Sequence, residues 1–372
     1  MPMAGCHKSR GKYIVTGEDS MKYGIITYTS AQNWGGILQA YALYYYLKKD
    51  GYDVDLLNYR AFDSRLFKPR KQIKDIIFSV LKQRENRQRI QRYIDFRAKN
   101  LCLQGEPVSN GEELKALNKT YDAFITGSDQ LWNCETEICY DFYLQFAEDS
   151  KLLLSYGPSF GQDEIPEKFE KEVARLLERY DLMSVRESSG SKIVEKLTGK
   201  KIPVVCDPTF LLKQEEWLEV AAAPVKEKGY IFIYTTQVSH KVIELVKQYI
   251  HLHPDTTVIT PYAIPGVKAV VKKNIGPAEF LSYIRSADYV IGTSFHAVAF
   301  SLIFSRNFCV VPHSSTGARV NNLLATLGLE KHAITATEQM EFPMLDAKEY
   351  MEKLERYISS SKDYIKKMMD VR

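Results

Sequence analysis

The chain has 372 residues, 45% hydrophobic and 26% charged, with 50 Lys/Arg against 46 Asp/Glu, a formal charge of +4 and a pI near 8.5. This excludes a disordered, collagen-like or simple coiled-coil protein, and the length suffices for two or three domains whose cores need no disulfide or metal staple. The mild total, too small to argue for nucleic acid, hides one basic block: residues 60–99 hold thirteen Lys/Arg and four Asp/Glu, net +9.

In chain order, residues 1–20 are polar and patternless, and Met21 stands directly before the first strand, so a start at Met21 is an alternative to Met1. Strand patterns cover 23–29, 52–59, 121–126, 151–156, 181–185 and 202–206, with a helix over 36–49 and a long charged helical region over 70–99. Small and polar residues at 221–228 mark a break. The alternation then restarts, with strands at 230–235, 257–260, 288–291 and 307–311. The helices between them cover about 240–251, 277–286, 296–305 and 319–328, and an amphipathic helix runs over 346–369. This alternation predicts two doubly wound α/β domains, 21–220 with a basic helical insertion at 60–100 and 221–345, followed by a C-terminal helix at 346–372. No uncharged apolar run reaches the roughly 18 residues of a membrane span. Cys6, Cys102, Cys134, Cys139, Cys206 and Cys309 form no CxxC pair and, with no signal peptide apparent, read as reduced thiols of a cytoplasmic protein.

Ligands of doubly wound sheets bind where strand ends lead into helix N-termini. Four such places carry chemistry. Asn33, Gly35 and Gly36 permit a tight turn whose amides can meet an anion, or a plain βα turn. Gly127, Ser128 and Asp129 offer amides, a hydroxyl and a carboxylate, or simply cap a helix. Arg186, in Ser-Val-Arg-Glu, offers a fork for carboxylate or phosphate, or lies exposed beside Glu187. His296 follows Thr293 and Ser294 on the first turn of an apolar helix, placed for proton transfer at a strand end. Arg319, opening a further helix, reaches an anion or solvent. His251 and His253 have no third ligand at recognisable spacing, so no metal is expected.

Together these segments resemble the polysaccharide pyruvyl transferase family: NWGGILQAYAL at 33–43, YDAFITGSDQLWN at 121–133, SVRES at 184–188, PVVCDPTFLL at 203–212, ADYVIGTSFHAVAFSLIF at 287–304 and RVNNLLATLGL at 319–329. The resemblance spans about residues 21–332. It implies a GT-B-like fold of two Rossmann-like domains with a cleft between them, the C-terminal one on the donor side and the N-terminal one on the acceptor side. It also implies transfer of the enolpyruvyl unit of phosphoenolpyruvate to a sugar of a lipid-linked or nucleotide-linked polysaccharide precursor, usually as a cyclic ketal. His296 matches the family's functional histidine and Arg186 an arginine associated with the donor. Many members have Arg-Leu-His-Gly where this chain has Ser294-Phe295-His296-Ala297, so another cation, Arg319 or a lysine, has to supply that anion contact. No cofactor is implied, in keeping with the absence of a dinucleotide fingerprint. Two other readings are a nucleotide-sugar glycosyltransferase and a non-catalytic sugar-binding protein of the same fold.

No nucleic-acid partner is expected for the basic block, which lacks any recognised binding motif. Ile73, Ile76, Ile77, Val80 and Leu81 have near-helical spacing within it. It reads either as a solvated helix packed on the N-terminal domain or as a surface that attracts anionic membrane, at its inner face, or a lipid-diphosphate acceptor, about 1 kcal/mol per basic residue.

Overall fold

The secondary structure follows from short β-branched and aromatic runs, each stopped by Gly, Pro, Asp or Ser, alternating with longer helical segments. The computed structural model describes residues 21–29, 32–60, 79–235, 238–312, 317–335 and 342–371. Among these, two compact units form. Unit 1 comprises residues 21–60, 94–212 and 357–371, and unit 2 comprises 79–93 and 213–356. The sequence break near 221 therefore lies inside unit 2, and the terminal helix is divided at 356/357 rather than forming a segment of its own.

Unit 1 carries strands β1 (Lys22–Ile26), β2 (Asp53–Tyr59), β3 (Gln104–Val108), β4 (Ala123–Thr126) and β5 (Leu152–Ser155). They form one parallel sheet in the order β3-β2-β1-β4-β5. Helices α1 (Trp34–Lys49), α2 (Ser79–Asn100), α3 (Gly111–Lys115), α4 (Glu167–Glu178) and α5 (Ser188–Thr198) occur in the same stretch of chain. From Trp34 to Leu43 every residue of α1 is buried, as expected of a helix that is apolar all round. Trp132, Phe124, Phe142, Tyr143 and Phe160 fill the core, each aromatic ring contributing about 1.5–3 kcal/mol by burial. The predicted strands at 181–185 and 202–206 are reduced to isolated bridges, Leu154 with Leu182 and Val185 with Val204.

Unit 2 repeats the plan. Its elements are α6 (Gln214–Val220), β6 (Tyr230–Tyr234), α7 (His240–Leu252), β7 (Thr257–Thr260), β8 (Val270–Val271), α8 (Pro277–Ser286), β9 (Tyr289–Gly292), α9 (Phe295–Ile303), β10 (Asn307–Val310), α10 (Ala318–Leu327) and α11 (Ala347–Met369). The parallel sheet runs β10-β9-β6-β7-β8. In both units the fourth strand of the sheet crosses to the other side of the first. The topological switch points therefore lie between β1 and β4 and between β6 and β9.

Of the basic block, residues 61–78 lie outside the described residues, so the positions of Ile73, Ile76 and Ile77 are not assigned. The expected packing of the whole helix on the N-terminal domain holds only for its end. Phe96 meets Tyr41 edge-on in unit 1 at 6.1 Å, while residues up to Tyr93 belong to unit 2. The five cysteines among the described residues are free thiols. Among the described residues no helix is long and apolar enough to cross a membrane.

Candidate functional site: two sheet-end crevices

In unit 1 the loops after β1 and β4 meet across the switch point. Gly127 N–H donates to Ile26 O at 2.9 Å, and Thr27 Oγ1 donates to the Ser128 carbonyl at 3.0 Å. A Cβ on Gly127 would lie 3.0 Å from Thr27 Cβ, so the glycine permits this approach. Gln39, wholly buried on α1, donates from Nε2 to Thr27 Oγ1 at 2.9 Å and to Gly36 O at 2.8 Å. Asn33 caps α1, its Oδ1 accepting from Gly36 N–H at 3.3 Å. Two of the amides expected to meet an anion, those of Gly36 and Gly127, are thus already bonded to the chain itself. The hydroxyls of Thr29 and Ser128 are buried here without hydrogen-bond partners among the described residues.

Asp129 is the hinge of this site. Its backbone sits at φ +84°, unusual for a residue with a side chain and of a kind that clusters at functional sites. Gln130 N–H donates to its Oδ1 at 2.8 Å, and Leu131 and Ser159 N–H donate to its carbonyl at 2.8 and 2.7 Å. A Cβ on Gly36 would stand 3.3 Å from Asp129 Oδ2, so the second glycine of the NWGG turn brings this carboxylate against the start of α1. Arg186 lies behind it, 3% exposed: Nη1 donates to Asp207 Oδ2, and Nη2 stands 3.5 Å from Asp129 Oδ1. Burial opposes the guanidinium charge, but Asp207, Asp129 and Glu187 outweigh it and hold the pKa above its ordinary value. Asp207 is fixed in turn by Thr209, whose N–H and hydroxyl donate to Oδ1 at 3.0 and 2.7 Å. Glu187 Oε1 accepts from Phe160 N–H at 3.0 Å. Burial, and after it the charge of Asp129, pushes the Tyr28 phenol up. Arg186 is therefore not the exposed loop residue the sequence allowed; it is the buried counter-ion of two carboxylates.

In unit 2 the residues described at the corresponding strand ends are two threonines, a serine and a histidine. Thr293 N–H donates to Tyr234 O at 3.1 Å, and the hydroxyls of Thr293 and Thr235 lie 3.3 Å apart across the switch point. Ser294 occupies the N-cap position of α9, and His296 lies in its first turn, 6% exposed and edge-on to Phe295 at 5.3 Å. A Cβ on Gly292 would fall 2.9 Å from Ala297 Cβ and 3.2 Å from Tyr234 O, so this glycine lets α9 leave the strand end at once. Arg319, half-buried, is the second residue of α10. A second histidine, His332, is structural: its Nδ1 bonds Phe308 O at 2.8 Å and its ring stacks on Phe308 at 4.5 Å.

Asn33, Gly36, Gly127, Ser128, Asp129 and Arg186 thus come together in unit 1, with Gly35 beside them, and Thr293, Ser294 and His296 in unit 2. The sequence reading missed Thr27, Gln39 and Thr235, left Glu187 as an exposed neighbour of Arg186, and read Asp207 as a strand-end acid able to touch ligand or to cap; the cap is the part observed, at Thr209 N–H. Gln39 carried a signal, a lone amide in an otherwise apolar helix.

The structure is similar to UDP-GlcNAc 2-epimerase from Neisseria meningitidis bound to UDP-GlcNAc, with 10% identity and a TM-score of 0.52 over 94% of this chain and 100% of that one. It is also similar to the UDP-GlcNAc 2-epimerase of Methanocaldococcus jannaschii (12%, 0.49, 95% and 94%) and to the glycosyltransferase SnogD from Streptomyces nogalater (13%, 0.42, 92% and 96%). The Neisseria match carries the fold, two Rossmann-like α/β units of GT-B type. No curated protein matches the chain significantly in sequence. The sequence model of one family covers residues 33–315, and by that match the chain belongs to the polysaccharide pyruvyl transferase family.

Proposed function

We propose that the protein transfers the enolpyruvyl unit of phosphoenolpyruvate to a sugar of a cell-surface polysaccharide precursor, lipid-linked or nucleotide-linked, closing a cyclic ketal and releasing phosphate. The observation that carries this reading is His296, buried in the first turn of α9 at the switch-point end of unit 2. In the proposed reaction a protonated His296 gives its proton to the methylene carbon of the donor. The double-bond pair forms the new C–H bond and leaves an oxocarbenium-like C2. A sugar hydroxyl attacks C2 and loses its proton, and a second hydroxyl then displaces phosphate. The helix N-terminus of α9 favours the donor's anionic groups, and those in turn favour imidazolium.

Thr293, Ser294 and Arg319 serve the donor in unit 2. In unit 1 the amides of Gly35 and Ser128, with Asn33 and Asp129, serve the polar groups of the acceptor. Arg186 holds Asp129 in place, and its 3.5 Å contact with Asp129 is the one that a substrate oxyanion would replace.

The test is incubation with phosphoenolpyruvate and candidate lipid-linked and nucleotide-linked sugars, reading phosphate release and the mass of the sugar product. Phosphate release lost in His296→Ala supports the assignment. No release with any acceptor, together with unchanged phosphoenolpyruvate binding by His296→Ala, overturns it. The fold shared with an epimerase bound to UDP-GlcNAc favours nucleotide-sugar transfer as the second reading. Thermal stabilisation by UDP or GDP and not by phosphoenolpyruvate would select it.

A further inference from the structure

Glu85, Gln88, Arg89, Arg92 and Tyr93 stand at i, i+3, i+4, i+7 and i+8, on one face of α2. All five belong to unit 2, and four of them are accounted for there. Glu85 pairs with Lys273 at 3.3 Å, and Gln88 Oε1 accepts from Asn274 Nδ2 at 3.1 Å. Arg92 pairs with Glu279 at 3.2 Å and donates to Asn274 O at 2.7 Å, and Tyr93 is 4% exposed. The seat is close: a Cβ on Gly276 would fall 2.5 Å from Arg92 Cβ.

Arg89 is the fifth. Its Nε is shielded from solvent and has no hydrogen-bond partner among the described residues, which also offer the side chain no ion pair. Two aromatic rings mark its position. Burial raises the Tyr93 phenol, and partial burial raises that of Tyr262, while the Arg89 charge opposes both. Tyr262 follows β7. Tyr234, which also acts on Tyr93, ends β6 and accepts the Thr293 N–H. The partners of Glu85, Gln88 and Arg92 are residues 273–279, which follow β8, so this face of α2, Arg89 included, stands at the carboxyl end of the unit 2 sheet, the end from which α9 starts.

A guanidinium nitrogen shut off from water without an acceptor is unfavourable. The fork is shaped for an oxyanion. We propose that Arg89 contacts the anionic group of the ligand bound at the unit 2 crevice, and that this group is phosphoryl. The existence of the anion contact rests on the α2 face alone, whereas the choice of a phosphoryl group rests on the pyruvyl-transfer reading, in which phosphate leaves. The basic helix then has a task inside the protein and not only at its surface.

The experiment titrates the full chain with phosphoenolpyruvate, inorganic phosphate and UDP, in wild type, Arg89→Gln and Arg87→Ala. Arg87 is exposed on the same helix. Arg89→Gln is expected to weaken the bound anion about tenfold to a hundredfold, the size of one lost charge-assisted contact, with Arg87→Ala unchanged. A second readout needs no variant: phosphoenolpyruvate or phosphate should protect Arg89 from phenylglyoxal, mapped by mass spectrometry. Equal affinity of Arg89→Gln and wild type for all three ligands, or labelling of Arg89 unaffected by saturating ligand, overturns the proposal, as does a wild type that binds none of them. Binding of UDP alone, weakened in Arg89→Gln, supports the Arg89 contact while overturning the pyruvyl-transfer reading.

Discussion

Unit 1 buries four charged side chains behind its switch point, Asp129, Arg186, Glu187 and Asp207, each 5% exposed or less. Unit 2, with the same strand order, places two threonine hydroxyls and an imidazole at the corresponding strand ends. The difference teaches what each crevice can do. A buried ion cluster, its carboxylates fixed by Thr209 and by the Gln130 N–H, holds one geometry and resists change. Hydroxyls and an imidazole at a helix N-terminus can accept negative charge and move a proton. In the proposed reaction unit 1 positions and unit 2 reacts.

Four experiments would break or sharpen that contrast. Arg186→Met should act on stability first. It leaves Asp129 and Asp207 buried without their cation, so denaturant unfolding should show a loss of about 3–5 kcal/mol. A variant as stable as wild type would mean that the cluster does not hold unit 1 together. His296→Gln should do the reverse. Turnover should fall by about 10²–10⁴-fold, the usual contribution of a general acid, while the melting temperature stays near that of wild type. A matching loss of stability would reclassify His296 as structural.

Gly292→Ala joins the two effects within unit 2. The added methyl meets Ala297 Cβ at 2.9 Å and Tyr234 O at 3.2 Å, which should shift α9. A loss of about 1–3 kcal/mol is expected from such overpacking, and with it weaker donor binding by titration calorimetry. The smallest effect concerns pH. Burial lowers the pKa of His332, so its neutral form is the one favoured by the fold. Its folded pKa lies below the unfolded value of about 6.5, so stability is complete above that pH and declines as the pH falls toward the folded pKa. His332→Asn should flatten this acid limb in denaturant titrations. An unchanged limb would assign the acid sensitivity to other groups.

Legibility in the sequence followed burial. Nearly every central strand and the helices of unit 2 other than α6 could be read, because elements buried on both faces write continuous apolar runs. Of the edge strands, β5 and β10 could be read and β3 and β8 could not. β3, Gln-Gly-Glu-Pro-Val, has four exposed residues, a glycine at φ +72° and a proline, and it pairs with β2 across a register shift. β8 is two residues long. At 181–185 and 202–206 the apolar runs were real, but only single bridges form there.

By itself the sequence determined the α/β alternation, the family and the strand-end positions of Asn33, Gly36, Gly127, Asp129, Thr293 and His296, because each follows from local pattern and turn chemistry. Tertiary structure alone decided which of these residues share a crevice, since that depends on where the crossovers set β1 against β4 and β6 against β9. It decided that Arg186 is paired twice over, because Asp129 and Asp207 reach it from distant loops. It also decided the fate of the basic block. Charge counted along a chain cannot say which cations will find partners, and on the seated face of α2 Arg92 meets Glu279 while Arg89 Nε is buried with no hydrogen-bond partner among the described residues.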